Sequence, residues 1–232
     1  MKRLLAACFL LATSAAISWS LPLRYGLSVG STLGMAAGSD WDAVKAGIQS
    51  DYELLGSSVS IRDAVGAGWN MGAFVETPLL GPLSLRLGLA YDEPSAGMRI
   101  TNTLDPDDWA RWIERYRLLE VPATLGLRLG KGFSVFGGGF GAWRFGDLRE
   151  IVDGPSDRVT NSVPAEGYAD FLLGVIAGIE FTQRTGSSES LYIDVQYLHE
   201  LTPITNLEAP AANDFYLRSL LICVGVAFTG AR

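Results

Sequence analysis

Seven charged residues fall on one face if the segments that carry them are strands: Arg24, Glu76, Arg86, Glu120, Arg128, Glu180 and Asp194. Both signs are present, so the chemistry open to them in a narrow interior is ion pairing. A buried carboxylate without a partner is costly, which makes a packed ionic network the expected arrangement. Glu120 is expected to pair with an inward arginine. Arg86 is favoured, because its segment precedes that of Glu120 and consecutive strands are usually antiparallel neighbours. Arg128 lies farther along the strand of Glu120 itself, about 26 Å away at the usual rise per residue. The height of Arg86 above its turn nevertheless falls nearer Arg128, which leaves Arg24 as another candidate partner.

Catalytic signals are weak by comparison. His199 is the sole histidine, and a Ser/His hydrolase would need a hydroxyl within hydrogen-bond reach of it. Thr202 is the nearest hydroxyl in sequence, no serine follows at a matching spacing, and parity points His199 outward near a rim. There is no P-loop and no clustered metal-ligand set. The expectation is therefore no catalytic, cofactor-binding or metal residues, with a lipid-modifying enzyme as a minor alternative. A second candidate feature is the segment after Asp105. Asp105 can cap a helix with Pro106 at its first position, and Trp109, Trp112, Ile113 and Tyr116 then share one helical face. Such a face would pack on a rim or meet lipid headgroups or a partner.

The elements that must position these residues read as strands. In Leu23 to Gly30 the odd positions are apolar and the even ones are Arg, Gly or Ser, the period of two expected of a strand with unlike faces. Leu83, Leu85, Leu87, Leu89 and Tyr91 oppose Ser84, Arg86, Gly88 and Ala90. Leu119 to Leu129 repeats the pattern against Glu120, Thr124, Gly126 and Arg128, and Leu191 to Tyr197 against Asp194 and Gln196. Trp69 to Val75 and Phe171 to Phe181 alternate likewise, and Leu220 to Phe228 closes the series. The segment Phe133 to Phe145 is too rich in glycine for its facing to be read.

Connections alternate long and short: long near residues 35–66, 92–115, 146–167 and 202–214, and short between them. With small polar residues on one face and large apolar ones on the other, this predicts an all-β fold. Its form is a closed antiparallel up-and-down transmembrane β-barrel of about eight strands, with both ends on the short-turn side. Tyr25, Phe133, Phe181 and Phe228 fall near one rim, and Trp69, Tyr91 and Phe171 near the other, as two aromatic girdles would. A soluble calycin-like barrel is the rival fold. It would put the apolar ladders inside and the charges in water.

Residues 1–20 read as a signal peptide, with Lys2 and Arg3 before an apolar stretch and small residues at Ser18 and Ser20, leaving 21–232 as the barrel. Removal of that segment leaves Cys223 alone and allows no internal disulfide. A net charge of −7 without a lysine and arginine cluster argues against nucleic acid as a partner.

Gly68-Trp69-Asn70-Met71-Gly72 with Glu76-Thr77-Pro78, then Leu119-Glu120-Val121-Pro122, Asp170-Phe171 and Leu191 to Tyr197, resemble the bacterial outer-membrane β-barrels grouped with PorT. The resemblance implies an eight-stranded barrel with Glu120 directed inward. The chain departs from the usual insertion signal, because Thr229 to Arg232 follow Phe228. A secretion role does not transfer with the fold. The expected function is a non-enzymatic surface scaffold in the outer membrane, acting through its loops on outer-membrane lipid or an envelope protein, as a monomer without cofactor. A porin-like transport or ligand-binding barrel is the alternative.

Overall fold

A computed structural model describes residues 23–164, 167–204 and 215–230. The proposed signal segment and most of the fourth long connection lie outside the described residues. The strands are β1 (Arg24–Ala37), β2 (Val59–Pro78), β3 (Leu83–Asp92), β4 (Ser95–Asn102), β5 (Trp109–Arg115), β6 (Leu118–Gly130), β7 (Phe133–Arg144), β8 (Leu148–Asp153), β9 (Arg158–Val163), β10 (Phe171–Arg184), β11 (Glu189–Glu200) and β12 (Tyr216–Thr229). One helix, α1 (Ser39–Leu54), follows β1.

Eight of these strands close on themselves in the order β1-β12-β11-β10-β7-β6-β3-β2, and a β1–β2 ladder completes the ring. All their pairings are antiparallel. At the short-turn end the β6–β7 hairpin turns through Gly130, Lys131 and Gly132, all at positive φ. Glycine tolerates that backbone at little cost, and Lys131 is the one described non-glycine residue that adopts it.

Facing follows the sequence alternation. Leu27, Val29, Leu89, Leu125, Ile179, Ile193, Ile222 and Val224 are exposed on the outer wall, while Glu76, Thr124, Glu180 and Asp194 are buried inside. This is the reverse of a calycin-like barrel, so that alternative is overturned. The strand from Phe133 also acquires a facing: Phe136, Phe140 and Ala142 point inward. Glycines of other wall strands have a packing role beside the inward rings. Gly178 is the cross-strand partner of Phe136 and Gly174 that of Phe140, while Gly26 faces Phe74 and Gly225 faces Tyr192. A Cβ at any of the four would lie 2.6 Å or less from the partner ring. The narrow lumen holds rings only because a glycine sits opposite each.

The wall carries rings at both ends. Tyr25 stacks on Phe228 at 5.6 Å and Phe133 meets Phe181 at 4.9 Å near the short turns. Trp69 meets Tyr91 at 4.8 Å and Trp143 meets Phe171 at 5.0 Å at the opposite end.

The first three long connections carry regular structure. β4, β5, β8, β9 and the first residues of β2 form a sheet in the order β2-β4-β5-β8-β9 that continues the barrel wall past its rim. The expected helix after Asp105 is absent: Trp109–Arg115 is strand β5, paired with β4 and β8. Spacing of three and four residues fitted a helix, but the cross-strand pairing open on both sides of this segment satisfies its backbone instead. A face of apolar residues, including Trp41, Met98, Tyr116, Leu118, Leu148, Leu172 and Leu217, packs over the mouth as the main core.

Candidate functional site

Inside the barrel, β1, β2, β3, β6 and β10 bring Arg24, Glu76, Arg86, Arg128 and Glu180 into one cluster near the short-turn end. Glu76 accepts from Arg24 at 2.8 Å, Arg86 at 3.0 Å and Arg128 at 2.9 Å. Glu180 accepts from Arg86 at 2.6 Å and Arg24 at 2.9 Å, and Thr182 adds a hydroxyl at 2.7 Å. Each carboxylate is thus held by at least two guanidinium groups, the condition under which burying such charges is tolerable. The arginines also lie over inward rings. The Arg86 guanidinium sits 4.2 Å from the Phe74 centroid and 5.5 Å from that of Phe136, and Arg24 lies 5.6 Å from Tyr192.

Two of the seven charged residues lie apart from this cluster. Asp194 accepts from Gln196 Nε2 at 2.8 Å. Glu120 is buried in the lumen but makes no ion pair among the described residues, so the expected Glu120–Arg86 contact is not formed. The register explains this: Glu120 stands opposite Ala90, whereas Arg86 stands opposite Thr124 on that side and Glu76 on the other. Arg86 turns to Glu76, its direct neighbour, and Arg128 reaches the same carboxylate. The charges felt by Glu120 come from Asp92 and Glu200 instead.

Those two carboxylates were missed in the sequence. Asp92 accepts from the Thr32 hydroxyl, and Glu200 accepts from the Leu217 amide at 2.9 Å. Their signal was parity: each continues an inward even-numbered row at the last residue of its strand.

The lumen is nearly filled. A cavity of about 60 Å³ lies among Asn70, Arg86, Glu120, Thr124, Tyr192 and Asp194, and a wider vestibule of about 600 Å³ opens at the short-turn end beside Arg24, Arg128 and Glu180. The ionic cluster stands between them, as the floor of one and the roof of the other.

At the other end, the four aromatic and aliphatic residues expected on one helical face divide between two strand faces. Trp112 points to α1, where Trp41 stacks between it at 6.1 Å and Phe215 at 5.3 Å. Tyr116 is fully buried and donates to Glu114, as does Tyr168 at 3.0 Å. Burial pushes the Glu114 carboxyl above the usual carboxylate range, against those two hydrogen bonds, and burial raises the Tyr116 hydroxyl as well. Trp109 and Ile113 lie on the opposite face, where Trp109 receives the Arg99 guanidinium at 4.6 Å.

His199 sits beside Tyr197 at the rim, its rings stacked at 6.3 Å, and its Nδ1 has no hydrogen-bond partner. The Thr202 hydroxyl is engaged by the Leu173 amide at 2.8 Å. No Ser or Thr hydroxyl is hydrogen-bonded to His199 among the described residues.

A closed eight-stranded wall with an apolar exterior, two girdles and an ionic lumen defines a membrane-spanning β-barrel. Solved structures similar to it are bacterial outer-membrane proteins. The attachment invasion locus protein Ail of Yersinia pestis, in complex with the heparin analogue sucrose octasulfate, matches 89% of this chain and 99% of its own at 10% identity and a TM-score of 0.41. The outer membrane protein OprG of Pseudomonas aeruginosa matches 91% and 98% at 11% identity and a TM-score of 0.38. The outer membrane protease OmpT of Escherichia coli matches 90% and 97% at 10% identity and a TM-score of 0.40. Likenesses this remote say nothing of activity, and the class rests on the chain's own geometry. No protein-family model matches the sequence, and no curated protein matches it.

Proposed function

We propose that the protein is a non-enzymatic outer-membrane barrel, exported by its N-terminal segment, whose work is done by the structure raised above its outer rim. The observation that carries this reading is the division of the molecule. The lumen is blocked by the Glu76 and Glu180 cluster and the mouth is covered by apolar packing around Trp41, whereas four strands and a helix stand beyond the membrane wall. Material is invested in a rigid surface, which suits a scaffold contacting outer-membrane lipid or an envelope protein. The barrel acts as a monomer, its ladder being closed with no free edge in the wall. Placement within the PorT-like group is part of the proposal, supported by the Glu120-Val121-Pro122 strand and its inward glutamate.

Reconstitution into a planar bilayer and digestion of whole cells test the reading together. The expected result is no stable conductance, with trypsin cutting near Arg158 from outside while the wall is protected. Steady single-channel currents, or a protein recovered in the soluble periplasm without detergent, would overturn it.

A further inference from the structure

The sheet above the rim has an arrangement that its own residues do not explain. In the cross-strand register, Arg62 of β2 is the direct partner of Arg99 of β4, and Arg99 is the direct partner of Arg111 of β5. Direct partners share a face, and like charges directly opposite each other destabilise a sheet. The row continues through Asp153 to Arg158, so one carboxylate serves it, and that carboxylate is paired with Arg158 at 3.3 Å. Arg62 and Arg99 are exposed and make no ion pair among the described residues, while Arg111 donates to the Val65 carbonyl at 2.8 Å. In a chain of net charge −7 such a row is not a consequence of composition.

A lower row continues it toward the membrane. Arg115 and Arg149 are direct partners on the same face, and the Arg115 Nε is buried without an acceptor. Arg115 and Arg117 both approach Glu93, at 3.8 and 3.9 Å, and Glu93 accepts from the hydroxyl of Tyr91 in the girdle. Arg117 and Arg115 keep the odd-numbered parity of Leu119, which is exposed on the outer wall, so the lower row is the upward continuation of the lipid-facing side of β6. Counting from Leu119, the partner of Tyr91, Arg117 and Arg115 lie about 7 and 13 Å along the strand and Arg111 about 26 Å. A phospholipid headgroup layer ends near the lower row, since headgroups add only about 5–8 Å on each side of the hydrocarbon.

We propose that this face binds a phosphate-bearing glycolipid of the outer leaflet, with interfacial phosphates on Arg115, Arg117 and Arg149 and anionic groups of its saccharide head on Arg62, Arg99 and Arg111. The inference rests on the outer-membrane reading above. A simple phospholipid satisfies only the lower row, and a soluble polyanion has no reason to require a face that begins at the lipid wall. Guanidinium groups suit phosphate because they bind it through two parallel hydrogen bonds.

The test uses the full barrel in phosphatidylcholine nanodiscs containing a minor fraction of bisphosphorylated lipid A, either bare or bearing a phosphorylated core oligosaccharide, with retained lipid measured after affinity purification. Heat-modifiable mobility is read first on every variant. A wild-type barrel that never inserts speaks against the membrane reading, not against this one. With insertion established, the wild type should retain the core-bearing glycolipid best. Replacing Arg115, Arg117 and Arg149 by serine should weaken retention of both glycolipids roughly a hundredfold, at about fivefold per charge near a lipid surface. The triple replacement R62S/R99S/R111S should reduce retention of the core-bearing form to that of bare lipid A. If either triple variant fails to insert, the single exposed change Arg62→Gln should still lower retention of the core-bearing form about fivefold. Retention equal to wild type in the inserted variants overturns the proposal. So does heparin binding in detergent that the upper triple abolishes while glycolipid retention is unchanged, which would make the occupant a soluble polyanion.

Discussion

Arg86 of β3 reaches across the lumen to Glu180 of β10 at 2.6 Å, joining residues 94 positions apart in the chain. With its other contact, to Glu76, it bridges both buried carboxylates. Removing it leaves each short of a cation, and breaking a buried pair from one side costs about 3–5 kcal/mol. Arg86→Met is therefore expected to lower the unfolding temperature in detergent on the order of 10 °C. Asp107→Ala, at an exposed hairpin tip, should leave it nearly unchanged. Equal midpoints for the two variants would count against the cluster as a stabilising unit.

Glu120 should behave in the opposite way. It lies inside but has carboxylates, not arginines, for electrostatic neighbours. Glu120→Gln keeps the volume and polarity of the side chain and breaks no ion pair among the described residues, so the unfolding midpoint at neutral pH should stay level or rise. A fall comparable to that of Arg86→Met would mean that an arginine reaches Glu120 in solution.

The contrast between these two residues marks what the sequence could carry. Strand parity told which side chains enter the lumen, because a period of two assigns a face without any knowledge of neighbours. It could not tell which inward charges meet. That depends on register, and the register placed Arg86 against Glu76 and Thr124 and left Glu120 against Ala90. The loop face failed for a related reason. Trp109, Trp112, Ile113 and Tyr116 satisfy helical spacing, yet Met98 opposite Trp112 and Gly97 opposite Ile113 supply a strand partner that local pattern cannot show. The glycines of β7 were unreadable alone, because their reason lies in the register: a Cβ at Gly138, opposite Thr124, would lie 2.0 Å from the Ala123 carbonyl of the neighbouring strand.

Trp41 closes the mouth from α1, stacked between Trp112 and Phe215 and donating from Nε1 to Asp63 at 2.7 Å. Tryptophan to alanine in a packed site costs about 3–5 kcal/mol. Here the loss falls on the contact of one helix with the sheet, so Trp41→Ala should release α1 while the barrel persists. Limited proteolysis within residues 39–54 should accelerate strongly, with heat-modifiable mobility unchanged. Unaltered cleavage would show that α1 is held by other contacts.

Glu114 gives the fold above the rim a dependence on pH whose sign can be worked out. Burial raises its pKa in the folded state, helped by the charge of Glu150 and opposed by the hydroxyls of Tyr116 and Tyr168. In the pH interval between the unfolded and folded values, the folded protein holds more protons than the unfolded one, so stability falls as pH rises. The contribution is fully present below the unfolded value, near the ordinary glutamate range of about 4.3, and is lost as pH climbs through the raised folded value. Glu114→Gln keeps the shape and an acceptor but cannot ionise. Its unfolding midpoint should therefore gain on wild type as pH is raised from acidic to neutral, with the two converging at the acid end. Thermal unfolding of both proteins across that range, followed by the near-ultraviolet signal of the stacked tryptophans, measures the difference. A constant offset at every pH would mean that Glu114 does not change its ionisation on folding.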